Sequence, residues 1–538
     1  MLDSLDLSGR PFHFIGIGGI GMSALAYILT RQKLPVSGSD LRLSHITQRL
    51  QEEGAHIFWS QDATNLEFFS ASPDKLDKSE RKVLSNLSND SANIGNNQSN
   101  GPTAGLPGSS PQFDNSPMVN DRSSLQRFDS HLPQVICSTA INPNNAEYQA
   151  AIELGCPIFH RSDLLAALIK DYQSIAVAGT HGKTTTSSLI AYLLLQTGFD
   201  PTIIIGGEVP AWQGNARLGC SDLLVAEADE SDGSLAKLSA HIGVVTNIEL
   251  DHPDHYNNLD EVLDVFRTFS NQCQTLVGCI DCPSVRQVLQ PDITYSLHRE
   301  SGADYTADEV EHQLTGTTAK IWERGQLLGT LRLPLMGQHN LSNALAAIAV
   351  GRHLGIPFMD IAEAIKDFQG ARRRFERRGF CNGILFIDDY AHHPSEIEAT
   401  LSAAKIHISE EFGSSTPKRI IAVFQPHRYS RAIALGKEFA QAFGAADQVI
   451  VTDIYSAGEP NVHNITGRQV AEMISAQHSQ TDYQASLPEV QKALTETLQP
   501  GDVVLFLTAG NLNQIIPDLI AFYEQTDLSN RQEACHQA

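Results

Sequence analysis

The chain is 538 residues long, which at about 150 residues per domain predicts about three or four domains. Its formal net charge of −24 argues against a nucleic-acid partner, because a protein that binds the phosphate backbone needs a basic surface. No apolar run approaches the roughly 20 residues of a membrane span, and the acidic N-terminal segment does not resemble a signal peptide, so we expect a cytoplasmic protein without a membrane span.

A glycine-rich turn near the N-terminus follows the pattern of dinucleotide-binding folds. A predicted strand over residues 12–17 leads into this turn and an apolar helix, and the next strand ends at Asp40, about 20 residues further on. The pattern places a pyrophosphate at the helix N-terminus and a ribose hydroxyl near the acid. NAD, FAD and UDP-sugars all contain a pyrophosphate and a ribose, so the pattern fits each of them. The glycines of the turn, called the glycine loop, are Gly16, Gly18, Gly19 and Gly21.

Residues 70–132 differ sharply in composition from the rest of the chain. They are rich in Asn, Ser, Gly and Pro and poor in apolar side chains. Such a segment cannot bury enough surface to offset the entropy lost on ordering, which predicts a disordered insertion within the first domain. The α/β pattern resumes with a strand over 134–137 that ends beside Ser138.

The stretch 174–187 is the centre of the predicted fold. A short apolar strand leads into a glycine-containing turn and a helix, which directs backbone N–H groups toward one point and suits a phosphate. Lys183 is predicted to reach the β- and γ-phosphates, and the Thr184 hydroxyl to hold Mg²⁺. The turn is shorter than the strict G-x-x-x-x-G-K-[ST] pattern, whose first glycine would fall at Val177. This phosphate loop comprises Gly179, Thr180, His181, Gly182, Lys183, Thr184 and Thr185.

Two further strands of this central region end in acidic segments. The strand over 223–226 precedes Glu227 and a run of carboxylates, and the strand over 242–246 precedes a segment that includes His252. Ligands of open parallel sheets bind beyond the carboxyl ends of the strands, so we expect both segments beside the phosphate loop. Carboxylates and an imidazole at a phosphate site predict Mg²⁺ or Mn²⁺.

A later helix begins with His339, Asn340 and Asn343. The two asparagines are three residues apart and share a face at the polar end of an otherwise apolar helix. Capping alone would explain one of them, so this pattern indicates the edge of a ligand site.

The last part of the chain again alternates strands with polar loops. Aspartates, histidines and arginines are concentrated after these strands, and a purely structural domain rarely needs that concentration. We therefore predict a substrate site there. The candidates include Asp389, His392, Arg428 and Arg431, with Arg374 at the entry to this domain.

Taken together, these motifs resemble the Mur ligase family, over nearly the whole chain outside the insertion. The resemblance implies an α/β fold of three domains: a Rossmann-like domain over 1–172, a central P-loop ATPase-like domain with a parallel sheet over 173–370, and a C-terminal Rossmann-like domain over 371–538. The motifs are His13–Met22, Gly179–Thr186, Glu227–Asp232, His339–Asn343, Asp388–Pro394 and Gln425–Arg431.

The resemblance also implies a reaction. ATP phosphorylates the lactyl carboxylate of UDP-N-acetylmuramate, and the amine of L-alanine attacks the acyl phosphate to give an amide, ADP and phosphate. The double histidine after Tyr390 points to the L-alanine branch of the family. ATP and Mg²⁺ are the implied cofactors, and the two substrates are the implied partners of a monomer or weak homodimer.

Residue roles follow from the resemblance by motif position. Lys183 is implied to hold the transferring phosphate, Thr184 with Glu227 one Mg²⁺, and His252 a second metal ion. ATP contacts are implied for the phosphate loop, Arg374 and Asp389, and the adenine and ribose contacts for His339, Asn340 and Asn343, which form the predicted adenine edge. His392, Arg428 and Arg431 are implied to receive the L-alanine carboxylate and the developing negative charge. The glycine loop, Asp40 and Ser138 are implied to hold the UDP moiety.

The sequence departs from the family pattern and leaves alternatives open. Thr508 stands where a glycine is expected, the insertion is unusual, and no carbamylated lysine can be placed. A recycling ligase that adds a whole peptide to the same UDP-sugar is the nearest alternative. An NAD-dependent dehydrogenase would leave Lys183 and the acidic segments unexplained, and an ATP-driven switch protein would bind nucleotide without amide chemistry.

Overall fold

The computed structural model describes residues 5–70, 132–313, 316–411 and 419–525. The chain divides into two compact units, Met1–Ala167 and Leu168–Ala538. The predicted disordered insertion lies outside the described residues except at its two ends. No helix of the described part is both long and apolar enough to cross a membrane.

The first unit contains a five-stranded parallel sheet in the order β3-β2-β1-β4-β5. The chain reverses direction across the sheet between β1 and β4, which is the position where ligands bind in such folds, and the glycine loop follows β1 there. The strands are β1 (Phe12–Ile15), β2 (Val36–Ser39), β3 (His56–Phe58), β4 (Gln134–Cys137) and β5 (Ile158–His160). The helices are Ile20–Arg31, His45–Glu52, Thr64–Ser70 and Ala146–Glu153, and the helix Arg161–Asp171 crosses the boundary between the two units.

The second unit contains two sheets, of which the first has ten strands in the order β15-β14-β13-β12-β11-β10-β6-β9-β7-β8. The run from β7 to β13 is parallel, as predicted for the central domain, whereas β8, β14 and β15 pair antiparallel and extend the sheet at both edges. The strands are β6 (Gln173–Ala178), β7 (Thr202–Val209), β8 (Gly214–Arg217), β9 (Leu223–Glu227), β10 (Ile242–Val245), β11 (Thr275–Cys279), β12 (Ile293–Ser296), β13 (Tyr305–Gln313), β14 (Gly316–Glu323) and β15 (Gln326–Leu333).

Two apolar helices form much of the core of this sheet. Leu189 and Leu193 of the helix Lys183–Gln196 and Ala344 and Ile348 of the helix Gln338–His353 are completely buried in one cluster. Because β6 lies between β9 and β10, the phosphate loop after β6 is flanked by the ends of the two strands that carry the acidic segments. The remaining helices are Leu259–Gln272 and Phe358–Ile365.

The other sheet of the second unit has six strands in the order β16-β17-β21-β18-β19-β20, parallel except for β16. Apolar clusters cover both of its faces. The strands are β16 (Glu376–Cys381), β17 (Ile384–Asp389), β18 (Arg419–Phe424), β19 (Gln448–Val451), β20 (Thr481–Tyr483) and β21 (Asp502–Leu507). The helices are Pro394–Glu411, Tyr429–Ala434, Gly436–Gln441, Gly467–Ser475 and Leu487–Thr497.

Candidate active site

In the first unit, the Asp40 side chain is hydrogen-bonded to the glycine loop. The backbone N–H of Gly18 donates to Asp40 Oδ2 at 2.8 Å, and a Cβ at Gly18 would lie 2.7 Å from the same oxygen. The other carboxylate oxygen accepts the backbone N–H of Arg42 at 3.0 Å. Asp40 therefore braces the loop, a role that the motif does not predict. Ser138 follows β4, next to the glycine loop in the sheet order.

The phosphate loop of the second unit depends on its two glycines. Gly179 and Gly182 have φ of +136° and +81°, and a Cβ would lie 2.0 Å from Thr246 Oγ1 and 2.5 Å from Asn343 Oδ1. The helix starts at Lys183, and no side chain among the described residues caps it. Its first N–H groups therefore remain available to an anion.

The Lys183 ammonium is folded back onto the loop. Nζ donates to the backbone oxygens of Gly179 at 2.7 Å and Thr180 at 3.2 Å, and to both carboxylate oxygens of Glu230 at 3.0 and 2.9 Å. Burial opposes the charge on Lys183, but the carboxylates of Glu230 and Asp229 outweigh burial and raise its pKa. Lys183 is thus a cation that is paired with Glu230 beside the phosphate loop.

The three predicted metal ligands are brought together only in part. Thr184 Oγ1 donates to Glu227 Oε1 at 3.1 Å, whereas His252 Nε2 lies 3.7 Å from Glu230 Oε1. A hydroxyl and a carboxylate beside a phosphate loop are the oxygen donors that Mg²⁺ prefers, so Thr184 and Glu227 fit this ion. His252 has a left-handed backbone with φ of +56°.

Two residues of the predicted adenine edge, Asn340 and Asn343, face different surroundings. Asn340 lines a cavity of about 730 Å³, together with Met336, Phe368 and Arg374 among others. Asn343 instead lies behind the phosphate loop, where its Oδ1 accepts from Thr186 Oγ1 at 3.1 Å. Its amide donates to Asn340 Oδ1 at 3.3 Å. Asn343 therefore connects the wall of the cavity with the phosphate loop.

His339 is the third member of the predicted adenine edge. Burial and the Arg374 guanidinium lower the pKa of His339 to about 4, against the opposing effect of the Glu396 carboxylate. His339 is consequently a neutral imidazole at neutral pH. It does not line the cavity that Asn340 lines.

Arg374 and Asp389 organise the entry to the last sheet. Asp389 accepts the backbone N–H groups of Phe375 at 2.6 Å and Ala391 at 2.8 Å, and burial raises its pKa to about 6 despite Arg374. Arg374 Nη2 lies 3.5 Å from Thr184 Oγ1. Arg374 therefore connects the last sheet with the phosphate loop.

The two arginines predicted to receive an amino-acid carboxylate are bound to aspartates of the loop after β10. Arg431 donates from Nε to Asp251 Oδ1 at 2.9 Å and from Nη2 to Oδ2 at 3.1 Å, with both side chains buried. Arg428 pairs with Asp254, and this pair is about one-third exposed. Both arginines do bind carboxylates, supplied here by the chain itself.

His181 has two carboxylate partners that its position in the phosphate-loop motif does not predict. Its Nε2 lies 3.3 Å from Glu249 Oε2 and its Nδ1 3.3 Å from Glu396 Oε1. Burial disfavours the imidazolium, but the two carboxylates outweigh burial and raise the pKa of His181 to about 9. The i,i+4 spacing of His392 and Glu396 at a helix start was the available signal for Glu396.

Other residues that the motifs did not single out are Glu230, Asp251 and Ser395. Glu230 binds Lys183, Asp251 binds Arg431, and Ser395 Oγ donates to Glu249 Oε2 at 2.8 Å. The atoms of His181, Glu249 and His393 that could bind a metal lie within 4.8 Å of one another. In this structure these side chains contact each other and Ser395, and they link the two sheets of the second unit.

These features define a three-domain α/β protein with a phosphate loop at the reversal point of its central sheet. Models of the Mur ligase family match three segments: the catalytic domain over 11–100, the middle domain over 177–351 and the glutamate ligase domain over 373–510. The chain belongs to the Mur ligase family.

Curated relatives and solved structures agree with this assignment. The UDP-N-acetylmuramate–L-alanine ligase of Crocosphaera subtropica is 58% identical, with 99% of this chain and 98% of the relative covered. The ligase of the same name from Nostoc punctiforme is 57% identical over 97% and 98%. The UDP-N-acetylmuramate–alanine ligase structure from Thermotoga maritima matches with a TM-score of 0.69 and 25% identity, over 98% of this chain and 100% of that one.

Proposed function

We propose that the chain is an ATP-dependent ligase that joins the amine of L-alanine to the lactyl carboxylate of UDP-N-acetylmuramate. Relatives with this activity in their names match nearly the full length. The structural observation that carries the proposal is one continuous set of contacts. It runs from Lys183 through Glu230 and His252 to Asp251 and Arg431, from a phosphate loop to a carboxylate-binding arginine.

The first chemical step transfers the γ-phosphoryl group of ATP to the lactyl carboxylate. Lys183 leaves Glu230 for the transferring phosphate, and the uncapped N–H groups of its helix stabilise the phosphate oxygens. Arg374, 3.5 Å from Thr184, adds a second positive charge at the same place. Asn340 contacts the nucleotide base from the wall of the 730 Å³ cavity.

Thr184 and Glu227 would hold Mg²⁺, and His252 a second divalent ion. Bound there, the metal supplies positive charge that neutralises the phosphate oxygens. Glu227 connects the phosphate loop with β7, because its Oε1 accepts from Thr184 at 3.1 Å and its Oε2 accepts the backbone N–H of Gly206 at 2.8 Å.

The second step forms the amide. Arg428 and Arg431 exchange Asp254 and Asp251 for the carboxylate of L-alanine, and the amine attacks the acyl phosphate. The glycine loop, Asp40 and Ser138 of the first unit hold the UDP moiety. The protein acts mainly by orienting the reactants and by neutralising charge. We propose the cytoplasm, where ATP and nucleotide sugars are found, as the location.

Phosphate release with each substrate omitted in turn tests the proposal. We expect release only when ATP, UDP-N-acetylmuramate and L-alanine are all present. Faster release with a tripeptide than with L-alanine would make the chain a recycling ligase. ATP hydrolysis that ignores both other substrates, or a nicotinamide absorbance change without ATP, would contradict amide synthesis.

A further inference from the structure

The His392 ring has a fixed tautomer. Its Nδ1 lies 2.9 Å from the backbone oxygen of Tyr390 and 3.2 Å from Glu396 Oε2. A carbonyl oxygen can only accept a hydrogen bond, so Nδ1 carries the proton and Nε2 of the neutral ring carries the lone pair. No described residue binds this Nε2.

Two neighbouring imidazoles, His427 and His393, have no free lone pair. His427 Nδ1 accepts from Arg431 Nη1 at 3.2 Å, and burial together with the charges of Arg431 and Arg428 lowers the pKa of His427. His393 Nδ1 accepts the backbone N–H of Ser395 at 3.3 Å.

His181 is excluded for a different reason. It is an imidazolium between two carboxylates, with a pKa raised to about 9, so it holds its proton at neutral pH. Among His181, His392, His393 and His427, His392 is therefore the one whose lone pair is available to a substrate.

Glu396 holds His392 in this orientation. Its Oε2 accepts the backbone N–H groups of His392 at 3.0 Å and His393 at 3.3 Å, and Arg374 Nη1 lies 3.8 Å from Oε1. Burial favours the neutral acid, but His392 and His181 outweigh burial and hold the pKa of Glu396 well below its usual range. An ionised carboxylate behind an imidazole stabilises the imidazolium that forms when the ring accepts a proton.

The surroundings place His392 beside the carboxylate-binding arginines. The centroid of its ring is 5.7 Å from that of His427, which is bonded to Arg431. The charged groups that face His392 are Glu396 in the helix that follows it, Asp251 on the loop after β10, and Arg428 and Arg431 beyond His427. In an α-amino acid one carbon separates the carboxylate from the ammonium, so a carboxylate on these arginines brings the ammonium into this cluster.

We propose that His392 is the general base that deprotonates the ammonium group of the amino acid, and that Glu396 is its positioning residue. This rests on the proposed function. The N–H bond of the ammonium breaks, the proton moves to His392 Nε2, and the electron pair left on nitrogen forms the C–N bond at the acyl-phosphate carbon. The C–O bond to phosphate then breaks, and a second nitrogen proton leaves with the phosphate as HPO₄²⁻. His392 returns its proton to water.

His392→Asn tests the proposal, because the new amide can keep the bond to the Tyr390 oxygen but is far too weak a base to accept the proton. We expect the kcat for L-alanine to fall by about 100-fold or more. Hydroxylamine, largely unprotonated at neutral pH, traps the acyl phosphate as a hydroxamate without a base, so its rate should change less than threefold. His478→Asn is the matched control, since His478 also bonds a backbone oxygen, at 2.9 Å from Ala446, on the same domain.

A second acceptor separates proton transfer from carboxylate binding. β-Fluoro-L-alanine keeps the carboxylate but has a more acidic ammonium, so the deficit of His392→Asn should shrink at least tenfold with it, and likewise at raised pH. Equal deficits with both acceptors, or loss of hydroxamate formation, would overturn the base assignment. Failure of the parent protein to form either hydroxamate or amide would instead overturn the proposed function.

Glu396→Gln tests the positioning role. The amide oxygen still accepts from Nδ1 but lacks the charge, so kcat should fall about 10- to 100-fold. The KM for L-alanine should stay within twofold. A rise in KM at unchanged kcat would assign Glu396 to binding and would contradict the proposal.

Discussion

The ion pair between Lys183 and Glu230 predicts that removing the lysine alone destabilises the second unit. Lys183→Met keeps most of the volume but removes the nearest cation of the Glu230 side chain, of which 2% is exposed, and leaves His252 Nε2 at 3.7 Å as its basic neighbour. Removing one partner of a buried pair costs about 3–5 kcal/mol, because the remaining charge is desolvated and unpaired. Since the Lys183 side chain is 14% exposed, we expect the lower end of this range.

Differential scanning calorimetry measures the effect. At about 2 °C per kcal/mol for a large unit, Lys183→Met should lower the Tm by about 6 °C. The double variant Lys183→Met/Glu230→Gln removes the stranded charge and should recover most of that loss. Lys366→Met breaks an exposed pair with Glu363 and serves as the control with an unchanged Tm. A single variant that melts within 1 °C of the parent, or a double variant that melts lower still, would refute the reasoning.

Three further predictions concern the same unit. Lys183→Ala should reduce turnover far more than UDP-sugar binding, measured by calorimetry, and comparable losses in both would contradict its role at the transferring phosphate. Gly182→Ala should abolish binding of a nonhydrolysable ATP analogue, because its Cβ would lie 2.5 Å from Asn343 Oδ1. Gly198→Ala has a similar φ of +84° with open space around it, and it should retain binding; equal losses would remove the steric argument. The pKa of His181, raised from 6.5 to about 9, contributes stability that is present below pH 6.5 and lost as the pH rises through 9. The Tm of the parent protein should therefore fall between pH 6.5 and 9, which corresponds to a loss of stability on the order of 1–3 kcal/mol. The Tm of His181→Asn should change less with pH over the same interval. Parallel Tm–pH profiles of the two proteins would exclude a stabilising role for the His181 charge.

The architecture could be predicted well where short apolar strands are followed by diagnostic loops. The glycine loop and the phosphate loop each follow a parallel strand at a reversal point of a sheet, because this topology is tied to the local sequence pattern. The antiparallel strands β14 and β15 were not identified. Their connection uses Arg324 and Gly325, both with positive φ, and a two-residue turn of this kind was the missed signal.

The candidate site could be predicted by residue type better than by contact. Arg428 and Arg431 suit carboxylates on chemical grounds, but their aspartate partners lie more than 170 positions away in the sequence. Likewise, Asn343 is a plausible ligand contact by helical spacing, whereas the structure places it against Gly182 and Thr186. Spacing identifies which side chains share a face, and only tertiary packing decides what that face meets.

If Arg428 and Arg431 bind the amino-acid carboxylate as proposed, that carboxylate must compete with Asp254 and Asp251, which are tethered to the same chain. A tethered group acts at an effective concentration that reaches the millimolar range when the linkage is short. Asp251 holds Arg431 through two hydrogen bonds. A carboxylic acid that contacts the protein only through its carboxylate therefore binds Arg431 less favourably than Asp251 does. A molecule whose amine also finds a partner can win this exchange, so the chain's own carboxylates act as a filter against simple organic acids.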